Sequence, residues 1–320
     1  MPSIIDKLLQ RVQTTAPLPL SSSAEAAAVQ PLATICRGIE PRGLFIIGAA
    51  RTGTTILQNA LNDSDDIFLF GEPCFHKDPD SADFSARYNG MHRAWGNQEN
   101  KSSYCPKLFE SDASWPTYLA RLADLYRCVG SKIVINPIHS EEEARLIFDF
   151  HCRHFYLSHY IFAFRNPLDV LMSTRGLAQL NGGTVATFAE VLKGYFVVLQ
   201  LFIRMLRNLP HVHVIFHEAV DAGVFGVLEK SLGIPLTHAY AYYDHGKVRH
   251  YELTAVPEVH RALTTEAITL YEDFKCAALA GFDLVQIEQN DGHLDPGHFT
   301  ELGRLSWRIT RFLQSIDNHH

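Results

Sequence analysis

Leu44-Phe45-Ile46-Ile47-Gly48-Ala49-Ala50-Arg51-Thr52-Gly53-Thr54-Thr55-Ile56-Leu57-Gln58-Asn59-Ala60-Leu61 reads as strand, glycine loop, helix. The two loop glycines, Gly48 and Gly53, stand five apart, as in a Walker A loop. Thr54 occupies the place of that loop's lysine, and the cation has moved inside the loop, to Arg51. Backbone N–H groups and a helix N-terminus still face an incoming anion. The lysine that a nucleotide hydrolase brings to the β- and γ-phosphates is missing. A phosphate-like ligand is therefore expected, held differently from ATP or GTP.

Working outward, four more short apolar runs read as strands: Ile67 to Phe70, Lys132 to Ile135, Tyr160 to Phe164 and Val212 to Phe216. Most are continuous rather than alternating, which suits strands covered on both faces. Helical patterns separate them at Thr55 to Leu61, Trp115 to Cys128, Glu141 to Phe150, Pro167 to Leu180 and Phe188 to Leu209. Alternation of this kind predicts an α/β fold: a P-loop-like parallel sheet flanked by helices, with ligands at the carboxyl ends of the strands. Leu302, Leu305, Ile309, Phe312, Leu313 and Ile316 share one helical face, so the C-terminal part is read as helical.

The 320 residues suffice for one large domain, and 47% apolar content supports a substantial core. Residues 1–40 read as a loosely ordered leader rich in Ala, Ser and Pro, and 41–320 as a single α/β domain. Residues 74–114 are irregular and rich in His, Asn, Asp, Trp and Tyr, which fits a substrate loop or a solvated connector. A net charge of -7 argues against nucleic acid as a partner. No apolar run is long enough to span a membrane. Six cysteines without a CxxC pair fit a reducing, cytoplasmic setting. His151, Cys152, His154 and His159 do not match a zinc spacing, so no metal is expected.

A second motif lies downstream: Phe164-Arg165-Asn166-Pro167-Leu168-Asp169-Val170-Leu171-Met172-Ser173. A strand ends in arginine and a helix starts at once, with Pro167 suited to its first turn. Ser173 follows Arg165 by about two helical turns. An arginine at that corner faces the ligand crevice and can grip a phosphate with two donors. The structural alternative is a salt bridge from Arg165 to Asp169.

Together the two motifs resemble the sulfotransferases that use 3′-phosphoadenosine 5′-phosphosulfate (PAPS). That family carries [KR]-x-G-T-[TS] after its first strand, here Arg51 to Thr55. It also carries R-[DN]-P-x-D-[VA]-x-x-S after a later strand, here Arg165 to Ser173. The resemblance implies that the loop N–H groups of Ala50, Arg51, Thr52 and Gly53 and the hydroxyls of Thr54 and Thr55 hold the 5′-phosphosulfate. It implies that Arg165 and Ser173 bind the 3′-phosphate. Arg51 stands at the family's catalytic lysine position, where tyrosylprotein, carbohydrate and many bacterial members also carry arginine. Sulfonate transfer is an in-line displacement helped by positioning and by positive charge on the leaving side, without need of a metal.

An acceptor hydroxyl also needs a base. Gly71-Glu72-Pro73 follows the second strand, where tyrosylprotein sulfotransferases have a Gly-Glu pair, which makes Glu72 the first candidate. A loop glutamate paired with a lysine is the alternative. His139, in Asn136-Pro137-Ile138-His139, is second, because cytosolic members use a histidine between the two motifs; His76 is third. Lys132 lies near where several members place a lysine close to the sulfonate, although its local pattern departs from theirs; the alternative is a strand-edge lysine. Lys247, in Gly246-Lys247-Val248-Arg249, resembles a basic loop over the 3′-phosphate, with a solvated loop as the alternative. Asp295-Pro296-Gly297-His298 resembles an esterase block but lacks the matching Gly-Asp-Ser. The expected activity is transfer of a sulfonate from PAPS to a hydroxyl, less readily an amine, of a small-molecule, sugar or lipid-linked acceptor, releasing 3′-phosphoadenosine 5′-phosphate. The competing readings are a P-loop small-molecule kinase and a non-catalytic nucleotide-binding protein.

Overall fold

A computed structural model describes residues 38–77, 115–180, 185–236, 239–242, 249–281 and 301–317. The strands are β1 (Gly43–Ala49), β2 (Ile67–Phe70), β3 (Cys128–Ile135), β4 (His159–Phe164) and β5 (His211–Phe216). The helices are α1 (Thr54–Asn62), α2 (Trp115–Ala123), α3 (Ser140–His154), α4 (Pro167–Leu180), α5 (Phe188–Asn208), α6 (Ala222–Leu232), α7 (Glu258–Ala280) and α8 (Glu301–Asp317). The five strands form one parallel sheet in the order β2-β3-β1-β4-β5. All carboxyl ends therefore lie on one edge, with β1 at the centre.

Period-two alternation distributes the apolar residues of each strand to two faces. Phe45 and Ile47 of β1 join one core with Phe162, Phe164, α5, α7 and α8. Leu44 and Ile46 join a second core with Leu57 and Leu61 of α1 and Phe225 and Leu228 of α6. Burial on both faces explains why β1 reads as an unbroken apolar run. Helix α5 is apolar around most of its circumference because β1 and β5, α3, α4 and α8 all pack on it. Phe312 of α8 meets Phe196 edge-on, with ring centroids 4.7 Å apart. A capping box between Thr187 and Glu190 starts α5.

Several expectations are corrected. The helix from Trp115 stops at Ala123, not Cys128; the Leu125 and Tyr126 N–H groups close a turn on the Leu122 carbonyl, and β3 begins at Cys128. Ile39 is already part of the core, so the chain is anchored before residue 40. Phe75–Lys77 forms a short 3-10 turn with Phe75 and His76 buried, so the region 74–114 opens on ordered chain. Residues 1–37 and 78–114, Lys247, and the block Asp295 to His298 lie outside the described residues. The histidines near Cys152 serve packing: the ring of His151 lies 3.2 Å from the Tyr160 hydroxyl, and His159 stacks on His211. Among the described residues no helix is long and apolar enough to cross a membrane.

Candidate functional site

Three non-glycine residues among those described have a left-handed backbone: Arg51 (φ 72°), Cys74 (φ 52°) and His139 (φ 62°). They follow the carboxyl ends of β1, β2 and β3. Such conformations cost of order 1–3 kcal/mol each and persist where surroundings impose them, commonly at functional sites. Strain and topology thus point to the same edge of the sheet.

The loop after β1 is closed by Thr52, which turns both its N–H and its hydroxyl back to the Ala49 carbonyl, at 3.4 and 2.9 Å. Those donors are committed to the loop itself, which differs from the expectation that the Thr52 N–H faces an anion. Gly53 (φ 92°) precedes α1, whose Leu57 N–H reaches the Gly53 carbonyl at 3.1 Å. A methyl group at Gly53 would lie 2.6 Å from Nδ1 of His217, just past β5. One at Gly48 would lie 2.7 Å from Cγ2 of the buried Thr54. Ala50 is half-buried and Arg51 is exposed. Arg51 donates through Nε to Oγ of Ser173 at 3.0 Å. The two sequence motifs are therefore in contact, although one follows β1 and the other β4.

Lys132 is a fully buried lysine (0% exposed). It is registered with Ile46, on the α1 face of β1. Its ammonium donates to Thr55 Oγ1 at 3.0 Å and pairs with Glu72 Oε1 at 2.9 Å. Burial of a cation is tolerated where such partners reach it. Lys132 is thus no strand-edge residue, and Glu72 is the loop glutamate paired with a lysine. The Lys132 ammonium lies against the first turn of α1, where the loop sequence itself has no lysine.

Arg165 was expected to lie open to the crevice; it is only 8% exposed. Its Nη2 pairs with Asp169 at 3.3 Å and also donates to the Arg249 carbonyl, while its buried Nε has no partner. Asp169 in turn accepts from the Tyr251 N–H at 2.9 Å and meets the His250 ring at 3.1 Å. The segment 249–251 is thereby tied to the first turn of α4. Asn166 accepts from the Leu168 N–H at that helix's start, and the Tyr195 hydroxyl donates to the Arg165 carbonyl.

No protein-family model matches this chain, and neither does any curated protein. The solved structures that resemble it include two sulfotransferase domains. One is a sulfotransferase domain from the Synechococcus PCC 7002 olefin synthase: 14% identity, TM-score 0.48, covering 85% of this chain and 95% of that one. The other is a sulfotransferase domain from the curacin biosynthetic pathway: 16% identity, TM-score 0.43, covering 63% of this chain and 77% of that one. At that divergence neither neighbour bears on individual residues of the site.

The base candidates lie on the β3–β2 flank of Arg51. His139 is exposed at the N-terminus of α3, on the wall of a cavity of about 690 Å³. Pro137 brings that turn against α5, where only glycine fits: a methyl at Gly194 would lie 2.7 Å from Pro137 Cα. Buried His76 stands 3.5 Å from Glu143, which Lys77 also grips at 2.7 Å. Burial pushes the Glu143 carboxyl up, but the hydrogen bonds from His76 and Lys77 outweigh it and hold it below the usual range. Missed by sequence reasoning was His217; its only sequence signal is its place directly after a strand end.

Proposed function

We propose that this chain transfers a sulfonate from PAPS to an acceptor hydroxyl. The observation that carries the reading is the Arg51–Ser173 hydrogen bond. It makes the two anion corners one continuous surface across the neighbouring strands β1 and β4, as a donor with phosphate at both ends requires. Two further features fit that donor. The buried, unpartnered Nε of Arg165 supplies an N–H that an anion would satisfy. Gly48 and Gly53 let Thr52, Thr54 and His217 close in on the loop, which holds its tight form.

In this reading the loop N–H groups of Ala50 and Gly53, with Thr54 and Thr55, hold the 5′ end, and Arg165 and Ser173 hold the 3′-phosphate. Bound PAPS supplies the sulfonate: the acceptor oxygen forms the new S–O bond, the bond to the 5′-phosphate breaks with its electron pair, and 3′-phosphoadenosine 5′-phosphate leaves. Arg51 neutralises charge on the leaving side, and Lys132 adds a buried positive group beside Thr55. His139 removes the acceptor proton, since it opens on a cavity, whereas Glu72 is engaged by Lys132. Glu72 remains the competing base. The four described cysteines are free thiols, which accords with a cytoplasmic setting.

The test is thermal stabilisation by adenosine 3′,5′-bisphosphate against adenosine 5′-phosphate and ATP with magnesium, followed by transfer of radiolabelled sulfonate from PAPS. Selective stabilisation by the bisphosphate is expected. Stabilisation by ATP with magnesium alone would replace this reading with a P-loop kinase. Bisphosphate binding without turnover over a broad acceptor panel would make the chain a nucleotide-binding protein only.

A further inference from the structure

Beside the donor corner lies the cavity that His139 faces. Its volume of about 690 Å³ suits a small organic molecule. Consecutive residues of α4 connect it to the reacting end: Ser173 touches Arg51, and Thr174 lines the cavity. Helix geometry turns successive side chains by about 100°, so the two share neighbouring faces of one helix. The register reinforces this, because Ile135 pairs with Ala49 and the turn 136–139 leaves the sheet beside the anion loop.

The lining has a definite chemistry. Pro137, Ile138, Leu146 and Ala178 give it apolar walls. Thr174 Oγ1 is buried without a partner, and seeks a hydroxyl or other small polar group. The one lysine on the wall, Lys77, is consumed by Glu143 at 2.7 Å. Glu142, exposed at the rim, has no ion-pair partner among the described residues. The charge left over is therefore negative. A carboxylate or phosphate on the acceptor would meet Glu142 with repulsion. An ammonium would be welcome at the rim but costly against the apolar walls.

We infer that this cavity takes the acceptor, and that the acceptor is an alcohol with an apolar, uncharged body. The inference rests on the sulfonate-transfer reading for the word acceptor, while the ligand class rests on the cavity alone. Acidic sugars and phosphorylated or carboxylated alcohols are disfavoured by Glu142.

The experiment is calorimetric titration of the full chain, saturated with adenosine 3′,5′-bisphosphate, with three probes on one skeleton: 2-naphthaleneethanol, its ring carboxylate and its ring aminomethyl analogue. The neutral alcohol is expected to bind at least about tenfold more tightly than the carboxylate. Glu142→Gln should narrow that gap while sparing the neutral probe. Ala178→Phe, filling the cavity, should weaken the neutral probe by about tenfold or more and leave bisphosphate stabilisation intact. Leu146→Trp gives the same readout from α3 should the first variant fail to fold. Equal or tighter binding of the carboxylate, preference for the ammonium, or full binding in both filled variants would overturn the inference. If the bisphosphate does not bind while the three-probe ranking holds, the donor reading falls and the ligand class of the cavity stands.

Discussion

Arg51 donates to Ser173 over 3.0 Å, from a loop after β1 to the second turn of the helix after β4. A cation held by a neutral hydroxyl keeps its charge available while its direction is fixed. Arg51→Ala should abolish sulfonate transfer yet leave most of the affinity for adenosine 3′,5′-bisphosphate. Ser173→Ala should weaken bisphosphate binding and also lower transfer. The double variant should lose less than the sum of the two, because the residues act as a unit. Additive losses in kcat/KM would separate them.

Arg165 is oriented by Asp169 and by the Arg249 carbonyl. Arg165→Ala should cost about 2–3 kcal/mol of bisphosphate binding, the scale of charge-assisted hydrogen bonds. Adenosine 5′-phosphate should bind the variant and the wild type alike. A retained preference for the 3′-phosphate would remove Arg165 from its recognition.

The Glu72–Lys132 pair at 2.9 Å is asymmetric, since Lys132 is fully buried and Glu72 only partly. Removing the carboxylate takes from a fully buried ammonium an ion-pair partner at 2.9 Å. Glu72→Ala should therefore lower unfolding stability by about 1–3 kcal/mol. Lys132→Met should cost less stability but more turnover. Glu72→Gln and His139→Ala, compared in kcat, decide between the bases; an active His139→Ala would return the role to Glu72.

Gly194 admits Pro137 against α5. The opposing atom is backbone, so Gly194→Ala forces the turn carrying His139 outward. A loss of about 1–3 kcal/mol in chemical denaturation is expected, the range for overpacking. Transfer should fall while bisphosphate binding stays unchanged. Unaltered stability would show that α5 and the turn slide apart freely.

At the amino-terminal edge of the sheet, burial and then the neighbouring His211 and His213 lower the His159 pKa from 6.5 to about 4. A histidine kept neutral in the fold favours unfolding wherever only the unfolded chain takes the proton. Its contribution is intact above about pH 6.5 and is lost as pH falls from there towards about 4. The melting temperature should decline across that window, and His159→Gln should flatten the decline. His213, also lowered mainly by burial, adds to the same slope.

The corner from Tyr160 to Leu180 was legible in sequence because an apolar run, an arginine and Asn-Pro leave little choice of structure. β3 was read only from Lys132 onward. Its first half, Cys128-Val129-Gly130-Ser131, mixes small and polar residues, and Gly130 is required because β3 passes too close to the Leu44 carbonyl for any side chain. That constraint comes from β1, remote in sequence. Helices α6 and α7 were missed: α6 carries Gly223 and Gly226, and α7 has a weakly segregated apolar face. At the site, Arg51, Arg165 and Ser173 could be named from motifs. The burial of Arg165 under residues 249–251 and of Lys132 under α1 depends on long-range packing that no local pattern carries.

The strand order has a practical corollary. On the proposed reading the corners after β1 and β4 hold the nucleotide while the turns after β3 and β2 lead to the cavity, so selectivity and donor affinity belong to separable halves of one edge. Directed evolution confined to 136–146, with His139 kept, and to Ala178 of α4 would on that reading explore new alcohols while Arg51, Arg165 and Ser173 stay in place.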